Sequence, residues 1–270
     1  MAQTGFDESE RRAWEGRADA YAGGFARLCA YTVPALLDAA GVGEGTRVLD
    51  VGTGTGTAAV LAGERGAKVA AVDAEPDMVA RAALAAPAAD VRLAVLPRLP
   101  FDDDAFDAVV ANFVLNHVGR PRQALTELRR VTRPGARIAA TVWAVPSAAG
   151  QALLGRAVQA AGVTRPDHVP SLAPEDDFPR TERGFAELLG AAGLTDVVCD
   201  TVTWEHRTTA EEWWSGPAAG VATIGRIVTS QPPEVVARIK DHFAALSAEF
   251  AAPGGELVLP HTALLAHGRA

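Results

Sequence analysis

Several things are scarce in this chain, and each scarcity excludes something. Among 270 residues there are two cysteines, Cys29 and Cys199, with no CxxC pair and no Cys/His cluster. A disulfide framework and a structural zinc site are thereby excluded, no metal ligand set is expected, and a reduced, cytoplasmic setting fits best. Lysine occurs only at Lys68 and Lys240 while arginine and alanine abound, a mark of coding bias and not of function. Basic residues are outnumbered, 25 against 33 acidic ones, for a formal charge of −8. A phosphate backbone needs a basic face to displace its counterions, so no nucleic-acid partner is expected. No apolar run approaches the ~18 residues of a membrane span, and the opening MAQTGFDESERRAWEGR has no apolar signal core. Neither a membrane partner nor a standard secretion signal is expected. Oligomeric state leaves no mark in the sequence.

What is present is an alternation of short apolar runs and helical segments. The first forty residues place Trp14, Tyr21, Phe25, Leu28, Tyr31, Leu36 and Leu37 at roughly helical spacing, with breaks expected at Gly23-Gly24 and Pro34. Strands are predicted over 47–52, 68–73, 91–96, 106–112 and 137–143, with helices over 57–66, 76–86 and 121–131 between them. Near-continuously apolar strands separated by helices predict a parallel sheet covered on both faces, a doubly wound α/β fold. Beyond Trp143 come a helix in QALLGRAVQAAG, another over 183–192, a strand in DVVCDTVTWEH, helices within 209–250 and a last strand in ELVLPHTALLAHGRA. The expected organisation is an N-terminal helical cap over 1–45 and an α/β domain over 46–270, with helical insertions near 147–182 and 209–250. In such sheets ligands bind outside the carboxyl ends of the strands, where these insertions would cover a pocket.

The chemistry is concentrated in VLDVGTGTGTAAV (48–60). Glycine permits positive φ and lets the backbone approach a ligand closely, and the helix that follows offers free N–H groups. The segment GTGTAA also fits a dinucleotide fingerprint, so two adenosine cofactors compete: a nicotinamide dinucleotide and S-adenosylmethionine. Asp50, two residues before Gly52, would repel a pyrophosphate but suits the ammonium and sulfonium of S-adenosylmethionine. Asp73, ending KVAAVD, can accept hydrogen bonds from ribose hydroxyls in either case, and a helix N-cap there is compatible with that role. With its glycines alternating as GxGxG directly after Asp50-Val51, the loop resembles the first motif of the class I S-adenosylmethionine-dependent methyltransferases. Further on, LPRLPFDDDAFDAVVANFVLNHV (96–118) resembles that family's LPF turn, acidic loop and fourth strand, and LTELRRVTRPGARIAATVW its helix, PG turn and fifth strand.

The resemblance implies a Rossmann-like, mostly parallel seven-stranded sheet with helical cap insertions and S-adenosyl-L-methionine as cofactor. Carried over residue by residue, it implies a cofactor site of Asp50, Gly52, Thr53, Gly54, Gly56, Asp73, Ala74, Met78, Leu96, Pro97, Asn112 and His117. Ala74 and Met78 belong to the segment that packs on adenine in the family, and Asn112 would contribute backbone. The chain departs from the pattern at Val95-Leu96, where relatives often carry an acid for the adenine amino group, which leaves backbone at Leu96 and Pro97 for that task. Asp102, Asp103 and Asp104 read as a solvated acidic loop.

Methyl transfer is an in-line displacement that mainly demands positioning, so no general base is dictated. His117 is the titratable group best placed to take a proton, against a packing role, and Tyr21 resembles a tyrosine that some relatives fold over the cofactor. Phe25, Trp143, Trp204 and His206, with Tyr21, are the expected acceptor contacts, because aromatics at strand ends and in a cap suit a flat or apolar acceptor. His168 is a weaker candidate, and Trp213 and Trp214 cannot both face one site from one helix. The expected activity is methyl transfer to a small-molecule acceptor at oxygen, nitrogen or carbon, in specialised or quinone-type metabolism. The rivals are an S-adenosylmethionine-binding protein without transfer and a nicotinamide-linked oxidoreductase.

Overall fold

The structure, a computed structural model, describes residues 4–270; the first three residues of the expected cap lie outside the described residues. Seven strands form one sheet in the order β3-β2-β1-β4-β5-β7-β6. These are β1 (Arg47–Val51), β2 (Lys68–Asp73), β3 (Asp90–Leu93), β4 (Phe106–Asn112), β5 (Thr132–Trp143), β6 (Thr195–Thr208) and β7 (Leu257–Arg269). The first five pair in parallel, and β7 runs antiparallel between β5 and β6. The doubly wound, mostly parallel sheet is thus as the sequence implied.

Two boundaries differ from expectation. The third strand stops at Leu93: Ala94 N–H still reaches the Asp73 carbonyl, but Val95 turns back to make an isolated bridge with Arg98 around Pro97. The fifth strand begins five residues early, at Thr132, and carries Pro134-Gly135 with a register shift opposite Phe106–Ala108.

Strand alternation divides the core between the two faces. Leu49, Val109, Ala111, Ile138 and Val142 pack on Leu125, Leu128, Phe185 and Leu189. Those helical residues come from α7 (Pro121–Val131) and α9 (Glu182–Ala191), numbered in chain order with the helices named below. Val48, Val110 and Ala139 pack on the other side against Leu36, Leu37, Ala58 and Ala62. These come from α4 (Val33–Ala40) and α5 (Thr57–Glu64); α6 (Pro76–Ala85) follows β2. Pro34 does not break α4 but sits in its first turn, where a missing N–H costs nothing.

A cap surrounds the carboxyl end of the sheet. Its N-terminal part is α1 (Gly5–Trp14), α2 (Ala18–Gly23) and α3 (Phe25–Ala30). The rest is α8 (Ala149–Ala160), α10 (Ala210–Ala218), α11 (Ala222–Thr229) and α12 (Pro233–Ser247). The latter helices share a core of Leu153, Ala157, Trp213, Trp214, Val228, Ile239 and Phe243 with Leu257 and Leu259 of β7. Gly150 lets α8 approach: a Cβ there would lie 2.7 Å from the backbone of Leu259.

Gly150→Ala is therefore expected to lower stability by about 1–3 kcal/mol, the usual cost of overpacking. Urea denaturation measures it, and a variant as stable as the parent would contradict the tight α8–β7 contact.

Candidate active site

At the end of β1 the chain enters the glycine loop with φ of +66° at Gly52, +56° at Gly54 and +91° at Gly56. Only glycine adopts this left-handed region freely. The last two positions serve different neighbours. A Cβ on Gly54 would meet the Tyr21 ring at 3.3 Å, whereas one on Gly56 would meet the Ala82 backbone of α6 at 3.0 Å. Gly56 therefore allows α5 to pack on α6, and Gly54 bares the loop beneath Tyr21.

Three of the loop amides are already used within the protein. Thr53 N–H donates to the Val72 carbonyl and Gly56 N–H to the Thr53 carbonyl, both at 2.9 Å. Gly54 N–H donates to Asp73 Oδ2 at 2.8 Å. The other Asp73 oxygen accepts from Glu75 N–H at 3.0 Å. Burial raises the Asp73 carboxyl, and these peptide donors oppose the shift. Asp50 lies below the loop, 1% exposed, accepting the Thr53 hydroxyl at 2.6 Å. Burial pushes its carboxyl up to about 6, opposed by the Thr53 hydrogen bond.

A cavity of about 830 Å³ opens over this loop. Gly52, Gly54, Asp73, Ala74, Met78 and Leu96 line it, with Glu75 beside them. Asp50, Thr53, Gly56 and Pro97 do not. The expectation that Asp50 faces the ligand directly is corrected: its carboxylate is turned under the loop and holds it through Thr53.

Asn112, at the end of β4, also borders the cavity, with its side chain held by the protein. Its Oδ1 accepts the hydroxyls of Thr32 and Thr141, both at 2.7 Å, and its amide donates one N–H to the Cys29 carbonyl at 3.0 Å. Phe113, next in the chain, stacks on Trp143 with ring centroids 4.1 Å apart.

His117 follows on the loop after β4, its Nδ1 2.7 Å from Glu10 on α1. The other Glu10 oxygen pairs with Arg226 of α11 at 3.3 Å. Asp7 accepts Gly119 N–H at 2.6 Å and closes a capping box with Thr4 at the head of α1. These contacts tie α1 to the loop after β4 and to α11. Glu10 escaped the sequence reading because SERRAW looks like any exposed amphipathic turn.

The remaining expected contacts separate into two layers. Tyr21, Phe25 and Trp143 line the cavity together with Trp213 and His261, which the motifs did not mark. Trp204 and His206 do not: Trp204 stacks on Tyr31 and His261, and His206 lies against Tyr31 and Trp213. Two residues apart on β6, they form a second layer behind the wall, which corrects their assignment as direct contacts. Trp214 packs on Phe243, while exposed His168 offers Arg226 its carbonyl. Burial, with the Cys29 thiol next, holds the Tyr21 phenol well above its ordinary value.

With this geometry in hand, the chain can be compared with known proteins. Residues 49–140 match the model of a methyltransferase domain. The chain is 36% identical over 163 residues to the demethylmenaquinone methyltransferase of Beutenbergia cavernae, covering 59% of this chain and 68% of that one. It is 37% identical over 112 residues to the enzyme of the same name from Renibacterium salmoninarum, covering 42% of this chain and 47% of the relative. The match therefore spans from about half to two thirds of these relatives. A methyltransferase structure from Thermotoga maritima superposes with a TM-score of 0.55 at 15% identity, over 96% of this chain and 99% of that one, and shares the fold. The fold and the loop define the class I S-adenosylmethionine-dependent methyltransferases. This chain belongs to that family, whose cofactor is S-adenosylmethionine.

The buried histidines give the protein a pH response. Burial pushes His206 and His261 down from 6.5 to about 4. The unfolded chain takes up these protons near 6.5 and the folded chain only near 4, so stability is lost as pH falls through that window. Asp50 acts oppositely, costing stability as pH rises from 3.8 to about 6. His206→Phe is expected to shrink the fall in Tm between about pH 7.5 and about pH 5. An undiminished fall in a folded variant would contradict the buried, neutral state of His206.

Proposed function

We propose that the chain transfers a methyl group from S-adenosylmethionine to a small apolar acceptor within the cavity described above. The observation that carries this is the state of the glycine loop. Its Thr53, Gly54 and Gly56 amides are donated inward, and carboxylates of Asp73 and Glu75 stand beside them. The carboxylates beside the loop would repel a pyrophosphate, whereas an ammonium and a sulfonium would find opposite charge. The nicotinamide reading is disfavoured for the same reason.

The residues present fit the cofactor. Asp73 accepts peptide N–H groups of Gly54, Glu75 and Ala74, and a carboxylate's remaining lone-pair capacity can take a ribose hydroxyl. Ala74, Met78 and the backbone at Leu96 would border the adenine. Gly52, Gly54 and the Asn112 backbone would leave room for the methionine moiety beneath Tyr21, with His117 closing that end. When bound, the cofactor supplies the methyl group and its leaving group; the protein supplies alignment and exclusion of water.

Phe25, Trp143 and Trp213 form the far wall, and such rings suit a flat apolar acceptor. The names of the relatives support a ring-bearing, quinone-type molecule as the acceptor class. A cytoplasmic setting is supported by the unpaired cysteines, Cys29 and Cys199. Among the described residues no helix is long and apolar enough to cross a membrane. The acidic balance of the chain supports a small-molecule partner over a nucleic acid.

Isothermal titration with S-adenosylmethionine, S-adenosylhomocysteine and NAD tests the reading. The first two are expected to bind and the third not; NAD alone binding would replace it with the oxidoreductase. Gly54→Val is expected to weaken S-adenosylhomocysteine by more than about tenfold, because a β-branched side chain at positive φ is strained and drives into Tyr21. Unchanged affinity in the folded variant would remove the loop from the site.

A further inference from the structure

The aromatic end of the cavity holds two polar groups that neither the fold nor the cofactor uses. Trp213 of α10 and His261 of β7 both wall the cavity, their rings edge-on at 5.5 Å between centroids. Trp213 is 4% exposed, and its indole Nε1–H has no acceptor. His261 is 2% exposed, with Nδ1 2.8 Å from the Leu259 carbonyl. A carbonyl only accepts, so Nδ1 carries the proton and donates it, and Nε2 of the neutral ring keeps its lone pair. Among the described residues no protein donor meets that lone pair. Buried polar groups are normally paired; the Trp213 indole is not, and with the free His261 lone pair on the same cavity wall it calls for a ligand that pairs both.

A donor and an acceptor side by side are selective. A carboxylate would satisfy the indole but not the imidazole, and an ammonium would do the reverse. A hydroxyl satisfies both, accepting from one and donating to the other. Beside the pair, Phe25 packs edge-on to Trp213 and Trp143 stacks on Phe113, leaving flat apolar walls for the rest of the molecule. Both polar residues lie outside 49–140, the part shared with the methyltransferase-domain model. Their pairing therefore belongs to this chain's acceptor end and not to the common cofactor framework.

We propose that Trp213 and His261 read the hydroxyl of a flat, apolar acceptor, and that His261 Nε2 takes its proton during transfer. This rests on the methyl-transfer reading above. The bond from acceptor oxygen to methyl carbon forms as the carbon–sulfur bond breaks, and that pair of electrons stays on sulfur. The O–H bond breaks with its pair on oxygen, and the proton passes to Nε2 and then to water. Oxygen becomes far more acidic as its bond to carbon forms, so a weakly basic imidazole suffices. His117, the base the sequence suggested, has Nδ1 engaged by Glu10 and lies close enough to Asp73 to act on its carboxyl, at the cofactor end. The proton-accepting role moves from His117 to His261.

Two probes test the pair on protein saturated with S-adenosylhomocysteine: 2-naphthol, and 2-fluoronaphthalene, which has the same rings without the hydroxyl. Calorimetry is expected to show 2-naphthol binding about tenfold tighter. His261→Phe is expected to reduce that preference to about threefold or less, the part left to Trp213, while S-adenosylhomocysteine affinity stays within about twofold. If His261→Phe fails to fold, nitrogen spectra of the wild-type imidazoles replace it. There the Nε2 resonance of the ring protonated on Nδ1 is expected to shift with 2-naphthol and not with 2-fluoronaphthalene. Equal affinities, no binding of 2-naphthol, an undiminished preference in His261→Phe, or an unmoved Nε2 resonance would each overturn the pair while leaving the cofactor reading intact. A wild-type protein that does not bind S-adenosylhomocysteine would overturn both.

Discussion

The site depends on one constraint: at the end of β1 the backbone must be bare toward the ligand and yet leave no buried amide unpaired. Asp73 meets it from the neighbouring strand, taking the Gly54 amide with one oxygen and the Glu75 amide with the other. Asp50 meets it from below by accepting the Thr53 hydroxyl. Loop, second strand and following helix are thereby locked into one unit before any ligand arrives. The same arrangement fixes the electrostatics. Three of the loop amides are turned inward, and carboxylates stand beside the space. A loop that resembles a phosphate cradle in sequence is thus flanked by negative charge.

The cap adds a second, independent layer of organisation. Glu10 joins His117 and Arg226, so α1 is fastened to the loop after β4 and to α11 at once. Behind the aromatic wall, Trp204 and His206 support Trp213 and His261 by ring packing. The cavity thus has a polar, acidic end at the glycine loop and an aromatic end to which cap helices and strands β5 and β7 both contribute. That division matches the needs of methyl transfer, where a charged donor must be brought to an apolar acceptor and water kept out.

Legibility in the sequence followed locality. The sheet could be read because each strand announces itself by a continuous apolar run, and the loop because Gly52, Gly54 and Asp73 fall within one βαβ unit. Asp50 was seen as part of the motif, but its direction was not, since only the Thr53 hydroxyl bond shows that it points under the loop. Trp204 and His206 looked like contacts because they are aromatic and near a strand end; they lie on the edge strand β6, one strand beyond the His261 of β7 that lines the cavity. Glu10 and His261 were invisible for a common reason. Each acts through partners more than a hundred residues away, Glu10 on His117 and His261 against Trp143, and no local pattern encodes such pairings.

The decisive property is which end of the cavity holds the cofactor. A crystal structure with S-adenosylhomocysteine decides it. The ribose hydroxyls are predicted on the Asp73 carboxylate, with the space bounded by Phe25, Trp143, Trp213 and His261 left open for an acceptor. An adenosine seated among those aromatic rings, with Asp73 untouched, would contradict it.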